Sequence, residues 1–276
     1  MKVKKKDIIS IVFISILFCI TYLLNNRFKK PILKVSKQDS AINVDQTILQ
    51  IFSLGNQRFL SSLLWVQTLL ESDIEVYKKR DLNSWMYLRF NSIINLDPYF
   101  YEAYKIGGQY LSVIKDDDLG AAKILKMGIE KFPNDFWLHY LLGFQYYFEL
   151  GDIDSAIKTY EKIESHPLVY TKVRLLPGII SRLKASKGSL ESAHDLILTT
   201  YNNLGKENTK LREKYYNNLY AIRAELDLNC LNSSKTNCNR VDLDGNNYQI
   251  KNNKYYAIKN WTPFRAKKRG ALGPSN

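Results

Sequence analysis

The sequence is poor in the side chains that most often carry catalysis or bind metal ions. It has three histidines in three separate segments, and none belongs to a local arrangement of cysteines and carboxylates typical of a metal site: His139, His166 and His194. It also lacks a glycine-rich phosphate loop, a Gly-x-Ser-x-Gly motif and a His-Glu-x-x-His motif. We therefore predict no catalytic residue, no metal site and no cofactor, and the sequence identifies no small-molecule substrate.

Cysteine is equally scarce, with three in 276 residues. Cys19 lies in an apolar N-terminal segment, and a lipoprotein signal ending there is disfavoured because the bulky Phe18 precedes it. Cys230 and Cys238 flank a polar loop and are close enough in sequence to form a disulfide in an oxidising compartment. Two free thiols fit the same spacing, and the sequence leaves both readings open.

Acidic residues are outnumbered by basic ones, 27 against 40, which gives a net charge of +13. Such an excess can indicate binding to nucleic acid or to an anionic membrane surface. Here the lysines are spread along the chain and form no single stripe. We therefore predict no specific binding to nucleic acid.

The N-terminus carries the features of a membrane anchor. Four lysines within residues 1–7 precede residues 8–24, which are seventeen residues without a charge. This length is near the short end of a spanning helix, and no small-residue cleavage site follows it. We predict an uncleaved signal anchor in the inner (cytoplasmic) membrane, with the basic tail inside and the rest of the chain outside the cytoplasm.

The remaining chain divides into three parts by composition. Residues 25–47 contain Pro31 and many polar residues and are predicted to be a linker. From 48 to 228, apolar residues recur at helical spacing and no long strand-like alternation appears, so an all-α domain is predicted, ending in a cap helix over 210–228. The tail, 229–276, contains a β-hairpin pattern near 247–259.

An internal repeat runs through the helical part. Pro98, Pro133 and Pro167 are 35 and 34 residues apart, and each follows an apolar segment. Gly108 and Gly143 are each followed thirteen residues later by an alanine, Ala121 and Ala156. Small residues at these positions would let two antiparallel helices approach closely.

In this pattern the chain resembles the tetratricopeptide-repeat (TPR) family. The residues that match best are Leu142, Gly143, Tyr146, Gly151, Asp152, Ala156 and Tyr160, and in the preceding repeat Gly108, Ala121, Leu125, Gly128 and Pro133. Both repeats have one residue more between glycine and alanine than the family usually has. The resemblance implies a solenoid of three to four helical repeats that binds other proteins.

One helix of the best repeat has an unusual aromatic face. Trp137, Tyr140, Phe144 and Tyr147 follow one another at steps of three and four, so they share one side of a helix. The family's internal packing positions lie on another side. The stripe is therefore a candidate partner-binding site, and the alternative is that it fills the contact between successive repeats.

These expectations combine into a membrane-anchored TPR scaffold that binds a peptide or helix of another envelope protein and is not an enzyme. Two alternatives stay open. The repeats could serve as an accessory subunit of an envelope enzyme or a sugar-binding system. In the opposite orientation, the chain could be a chaperone or nucleic-acid adaptor that faces the cytoplasm.

Overall fold

The computed structural model describes residues 14–23, 36–42, 45–233, 235 and 237–264, and the chain divides into two units, 1–40 and 41–276. In the first unit, residues 14–23 form helix α1, and its large apolar side chains are exposed. Residues 8–13 and 24 of the predicted anchor lie outside the described residues. Within the described ranges, no helix has both the length and the apolar character needed to span a bilayer.

The chain is mainly helical. The helices after α1 are α2 (Lys37–Ile42), α3 (Gln46–Phe52), α4 (Gln57–Leu70), α5 (Trp85–Leu96), α6 (Tyr101–Val113), α7 (Asp118–Lys131), α8 (Phe136–Phe144, continued by a π-helical turn, Gln145–Glu149), α9 (Ile153–Glu161), α10 (Pro167–Thr171), α11 (Leu176–Ser186), α12 (Leu190–Asn203) and α13 (Thr209–Leu231). The linker predicted over 25–47 thus contains one helix and the start of another. The sequence analysis missed them because both are short and have no apolar periodicity that repeats over several turns.

Consecutive helices pack as hairpins. The pairs are α4 with α5, α6 with α7, α8 with α9, and α11 with α12, and each hairpin also contacts the next one along the chain. The long α13 packs against α12. Pro98 and Pro133 follow the ends of α5 and α7, and Pro167 is the first residue of α10. This arrangement of stacked helical hairpins is helical-repeat-like and consistent with an α-solenoid.

Aspartates fix where the second helix of a hairpin begins. The side chain of Asp117 accepts a hydrogen bond from the backbone N–H of Gly120 at 2.9 Å, and that of Asp152 accepts one from Ser155 at 3.0 Å. Each bond satisfies a backbone donor that has no partner within its helix. The turns of the α6/α7 and α8/α9 hairpins are therefore encoded locally.

A glycine on the first helix of each central hairpin allows the second helix to come close. A Cβ added at Gly108 would lie 2.6 Å from the Cγ of Leu125, and one at Gly143 would lie 2.4 Å from the Cε1 of Tyr160. The sequence analysis paired these glycines with Ala121 and Ala156, which are fully buried. The side chains nearest to the glycines stand one turn later on the same helix faces, because residues four apart lie above one another.

The 14-residue connection between α4 and α5 was predicted to be helical and has no regular secondary structure. Buried Lys115 holds it in place, since its ammonium group pairs with Asp73 and donates to the carbonyl of Glu75 at 2.9 Å. The Ser84 hydroxyl donates to Asp117 and so ties the end of the connection to the next hairpin. Long-range polar contacts of this kind leave no periodic signal in the sequence.

A proline in the middle of a helix would kink it, and an uninterrupted helix over residues 167–186 would place Pro177 in its middle. The structure instead ends α10 at Thr171 and begins α11 at Leu176, so Pro177 occupies the first turn of a new helix. Proline is tolerated there because the N–H it lacks would have had no partner within the helix.

The C-terminal tail folds back on α13. The hydroxyl of Tyr220 donates to Asp242 at 2.9 Å, and that of Tyr248 donates to Asp227 at 3.0 Å. Phe264 is buried in the core formed by α11, α12 and α13. The predicted hairpin is present as two antiparallel strands, β1 (Gln249–Lys251) and β2 (Lys254–Tyr256).

Gly143→Ala tests the close contact in the α8/α9 hairpin. We expect it to lower the free energy of unfolding by about 1–3 kcal/mol, because the new methyl group overlaps the Tyr160 ring. The matched control is Gly178→Ala on α11, where an added Cβ would lie at an ordinary 3.6 Å from Tyr215. The control should keep the parent's free energy of unfolding or raise it by up to about 1 kcal/mol, since alanine favours helices. Thermal melting of the full chain in detergent measures both, and equal melting of the two variants would contradict the assigned contact.

Candidate functional site

The candidate site lies on α8, and two hydrogen bonds to Asp135 fix the start of this helix. Asp135 caps the helix by accepting a hydrogen bond from the N–H of Leu138 at 2.8 Å. The hydroxyl of Tyr101, on α6, donates to the same carboxylate at 3.2 Å. The cap therefore orders the first turn of α8 and also ties it to the preceding hairpin.

A π-helical turn follows at Gln145–Glu149, where the N–H of Leu150 bonds to the carbonyl of Gln145 at 3.0 Å. A π-turn takes up one residue more than the same length of α-helix. Gln145 is buried, and its amide donates to the carboxylate of Asp118 at 2.8 Å, which fixes the turn against α7.

Ring contacts divide the aromatic stripe into two groups. At the start of α8, the Trp137 ring meets Tyr140 edge-on with centroids 6.0 Å apart, and both contact buried Phe136. At the π-turn, Phe144 and Tyr147 each pack on Phe148, at 4.5 and 4.3 Å between centroids. The sequence analysis omitted Phe148, although its position four residues after Phe144 is a detectable signal.

The four predicted residues differ in exposure. Trp137, Tyr140 and Tyr147 are partly buried against the core formed with α9 and α11. Phe144 is the most accessible, with 37% of its surface exposed. The structure therefore combines both readings of the stripe: three rings pack partly against the next hairpin, and Phe144 stands at the edge with a face open to solvent.

The electrostatic surroundings of the cluster are mixed. The Lys105 ammonium lies 5.6 Å from the centroid of the Trp137 ring and 5.7 Å from that of Tyr101, which is cation–π distance. Burial raises the pKa of Tyr160, and the nearby Tyr140 and Tyr147 raise it further. The phenol of Tyr160 is therefore neutral at physiological pH. The exposed edge of the cluster thus offers apolar ring surface beside one cation.

The Tyr160 hydroxyl is buried and has no hydrogen-bond partner among the residues that the structure describes. A buried hydroxyl without a partner costs about 1–3 kcal/mol in lost hydration. Its ring, in contrast, fills the space above Gly143. The Tyr160 ring therefore stabilises the fold, and its buried hydroxyl oxygen destabilises it.

The other predicted positions lie away from α8. Cys230 and Cys238 form a disulfide between the end of α13 and the tail. Cys19 is a free, exposed cysteine. In the described part of the chain, no cluster of three or more histidine, cysteine, aspartate or glutamate side chains is placed to hold a metal ion.

Comparison of the chain with protein-family models, with curated proteins and with solved structures returned no match.

Tyr160→Phe tests the energetic role of the unpaired hydroxyl. We expect the free energy of unfolding to stay the same or to rise by about 1 kcal/mol, because the change removes a buried polar atom and keeps the ring. Tyr215→Phe is the matched control, since its buried hydroxyl donates to the carbonyl of Arg174 at 2.6 Å. That control should lose about 1 kcal/mol. Denaturant melts of the two variants measure the difference, and a larger loss for Tyr160→Phe would show that its hydroxyl is bonded.

Proposed function

We propose that this protein is a membrane-anchored TPR scaffold that binds a segment of another cell-envelope protein. The observation that carries the proposal is the aromatic surface of α8, where partly exposed rings sit on a helical-repeat framework. Exposed aromatic side chains in well-ordered surroundings are frequent anchors of protein interfaces. The side chains of the cluster either pack against the core or are exposed to solvent. Such a surface is suited to binding another protein.

Membership of the TPR family is supported by the position of the repeat residues. The regularly spaced Pro98 and Pro133 lie at the turns between hairpins, and Gly108 and Gly143 lie at the close helix contacts. A TPR solenoid would present the first helices of its hairpins toward a bound partner, and α8 is one of these helices.

Attachment to the membrane is supported by the apolar, charge-free residues 8–24 and by the lysines before them. In this proposal the N-terminus faces the cytoplasm and the repeats lie outside it. The Cys230–Cys238 disulfide favours this orientation, because disulfides persist in oxidising compartments and are rare in the cytosol.

The chemistry of the α8 surface favours an apolar peptide or helix as the ligand. Phe144 and the rings near it can hold apolar side chains, and Lys105 beside Trp137 can pair with a carboxylate of the partner. A segment with one or two large apolar residues next to an acidic residue would match both features.

Phe144→Ala combined with Tyr140→Ala tests the binding surface. We expect capture of the partner by crosslinking in native membranes to weaken by on the order of 2 kcal/mol, as for other interface anchors. The melting temperature should fall less than it would for a substitution in the core, because Phe144 is exposed. Tyr256→Ala removes another exposed aromatic side chain, 47% accessible, and should leave capture unchanged. If instead the melting temperature falls steeply, and partner capture is lost only because the protein unfolds, the stripe belongs to the core.

The anchor and its orientation are tested in intact cells. We expect the mature chain to have the mass of the uncleaved sequence and to stay in the membrane after extraction with alkaline carbonate. A protease added from outside the cytoplasm should cut the repeats and leave residues 1–24 behind. A mature chain that starts at a lipid-modified Cys19 would contradict the anchor, and full protection of the repeats would contradict the orientation.

A further inference from the structure

Helix α4 presents an apolar stripe to solvent. Phe59, Leu63, Val66 and Leu70 follow one another at steps of four, three and four residues, and 70%, 52%, 51% and 81% of their surfaces are exposed. This spacing places all four on one side of the helix. The stripe is thus a continuous face, in contrast to the single exposed apolar residues that every protein surface has.

The opposite side of α4 is already occupied. Trp65 packs on Phe90 and Phe100, with ring centroids 5.7 and 5.4 Å away. The Ser61 hydroxyl donates to the carbonyl of Ile93 at 3.1 Å, inside the same hairpin. The stripe therefore does not serve the contact between α4 and α5. It is the outer side of the first hairpin, where a solenoid normally carries polar capping residues.

Helix α3 and the segments beside α4 have the same character. Exposed large apolar residues occur in α3, in the turn after it and in the connection after α4: Ile48, Ile51, Phe52, Leu54, Ile74 and Val76. We call the exposed apolar residues of α3, its turn and α4 the α3–α4 face. A face of this extent in contact with water is unfavourable in proportion to its area, so it needs a cover.

The charged residues near the α3–α4 face indicate what kind of surface could cover it. Between Gln46 and Leu70 the single charged residue is Arg58, whose side chain is 83% exposed and whose Nε lies 3.9 Å from a carboxylate oxygen of Asp97. Three acidic residues follow α4: Glu71 pairs with Arg89 at 3.2 Å, Asp73 pairs with Lys115, and Glu75 is exposed. The residues of α3, its turn and α4 themselves include no carboxylate, so the acidic groups lie at the two ends of this stretch, at Asp45 and in the connection after α4.

The chain before α3 limits how far the face can be from a bilayer. Residues 25–45 connect the apolar segment 8–24 to α3, and these 21 residues could span at most about 70 Å if fully extended. They contain five basic and two acidic residues, which favours their lying along anionic lipid headgroups. The tether therefore keeps the α3–α4 face at high local concentration near the membrane surface.

We propose that the α3–α4 face lies in the headgroup region of the same bilayer that holds residues 8–24, so that the first hairpin is a second membrane contact. This inference rests on the proposed anchor. Apolar side chains on one side of a helix insert at the boundary of headgroups and acyl chains. The contact would replace the polar end cap that the solenoid lacks at this end.

The experiment uses the full chain, one copy per lipid nanodisc with anionic lipid. A nitroxide spin label is placed at Leu63→Cys or at Val66→Cys in a Cys19→Ser background, with the Cys230–Cys238 disulfide kept oxidised. The matched control is Leu175→Cys, because Leu175 is also 52% exposed and lies at the start of α11. A label on the native Cys19 reports on the anchor separately. Collisions with oxygen, which dissolves in lipid, are compared with collisions with a water-soluble nickel chelate.

We expect the labels at 63 and 66 to gain collisions with oxygen and lose collisions with nickel several-fold relative to the label at 175. Equal access of nickel at 63, 66 and 175, with Cys19 in lipid, would overturn the face proposal and leave the anchor standing. Labels at 63 and 66 in lipid with Cys19 in water would overturn the anchor and keep the face. Shielding that appears only in discs with two copies, together with spin–spin coupling, would assign the face to a second copy of this chain and overturn the bilayer contact.

Discussion

The close approach of the two helices within each central hairpin is the constraint on which the rest of the fold depends. At Gly108 and Gly143 there is no room for a side chain, because Leu125 and Tyr160 occupy the space that a Cβ would need. This contact sets the distance and rotation of the two helices, and with them the faces that each hairpin offers to the next. The aspartate caps then fix where the second helices begin, so that these contacts come into register.

The aromatic surface of α8 depends on this contact and on the π-turn that follows it. With Gly143 held against Tyr160, Gln145 at the start of the π-turn is turned inward onto Asp118. Trp137 and Tyr140 form one ring group at the start of α8, and Phe144 and Tyr147 pack on Phe148 at the π-turn. π-Turns are frequently found at functional sites, which agrees with a binding role for this helix.

The first and the last helices of the hairpin array differ in how they are covered. At the C-terminal end, the tail covers α13 through hydrogen bonds from Tyr220 and Tyr248 and through the buried Phe264. At the other end, α4 leaves a row of apolar side chains in solvent. In the proposed arrangement, contact of the first hairpin with lipid would fix the orientation of the helical hairpins relative to the bilayer.

The sequence by itself determined the features that depend on local chemistry. The helical periodicity, the prolines at the turns and the glycines at close contacts could be read directly, as could the strands on either side of Asn252 and Asn253, whose left-handed backbone suits a tight turn. The α4–α5 connection held by Lys115, the exposure of the α4 stripe and the inward rotation at Gln145 could not be read. These features depend on which surfaces the neighbouring hairpins cover, and an apolar residue at helical spacing has the same pattern whether it faces a core or solvent. Only the tertiary structure decides between the two, because burial belongs to the contact between elements and not to the residues of one element.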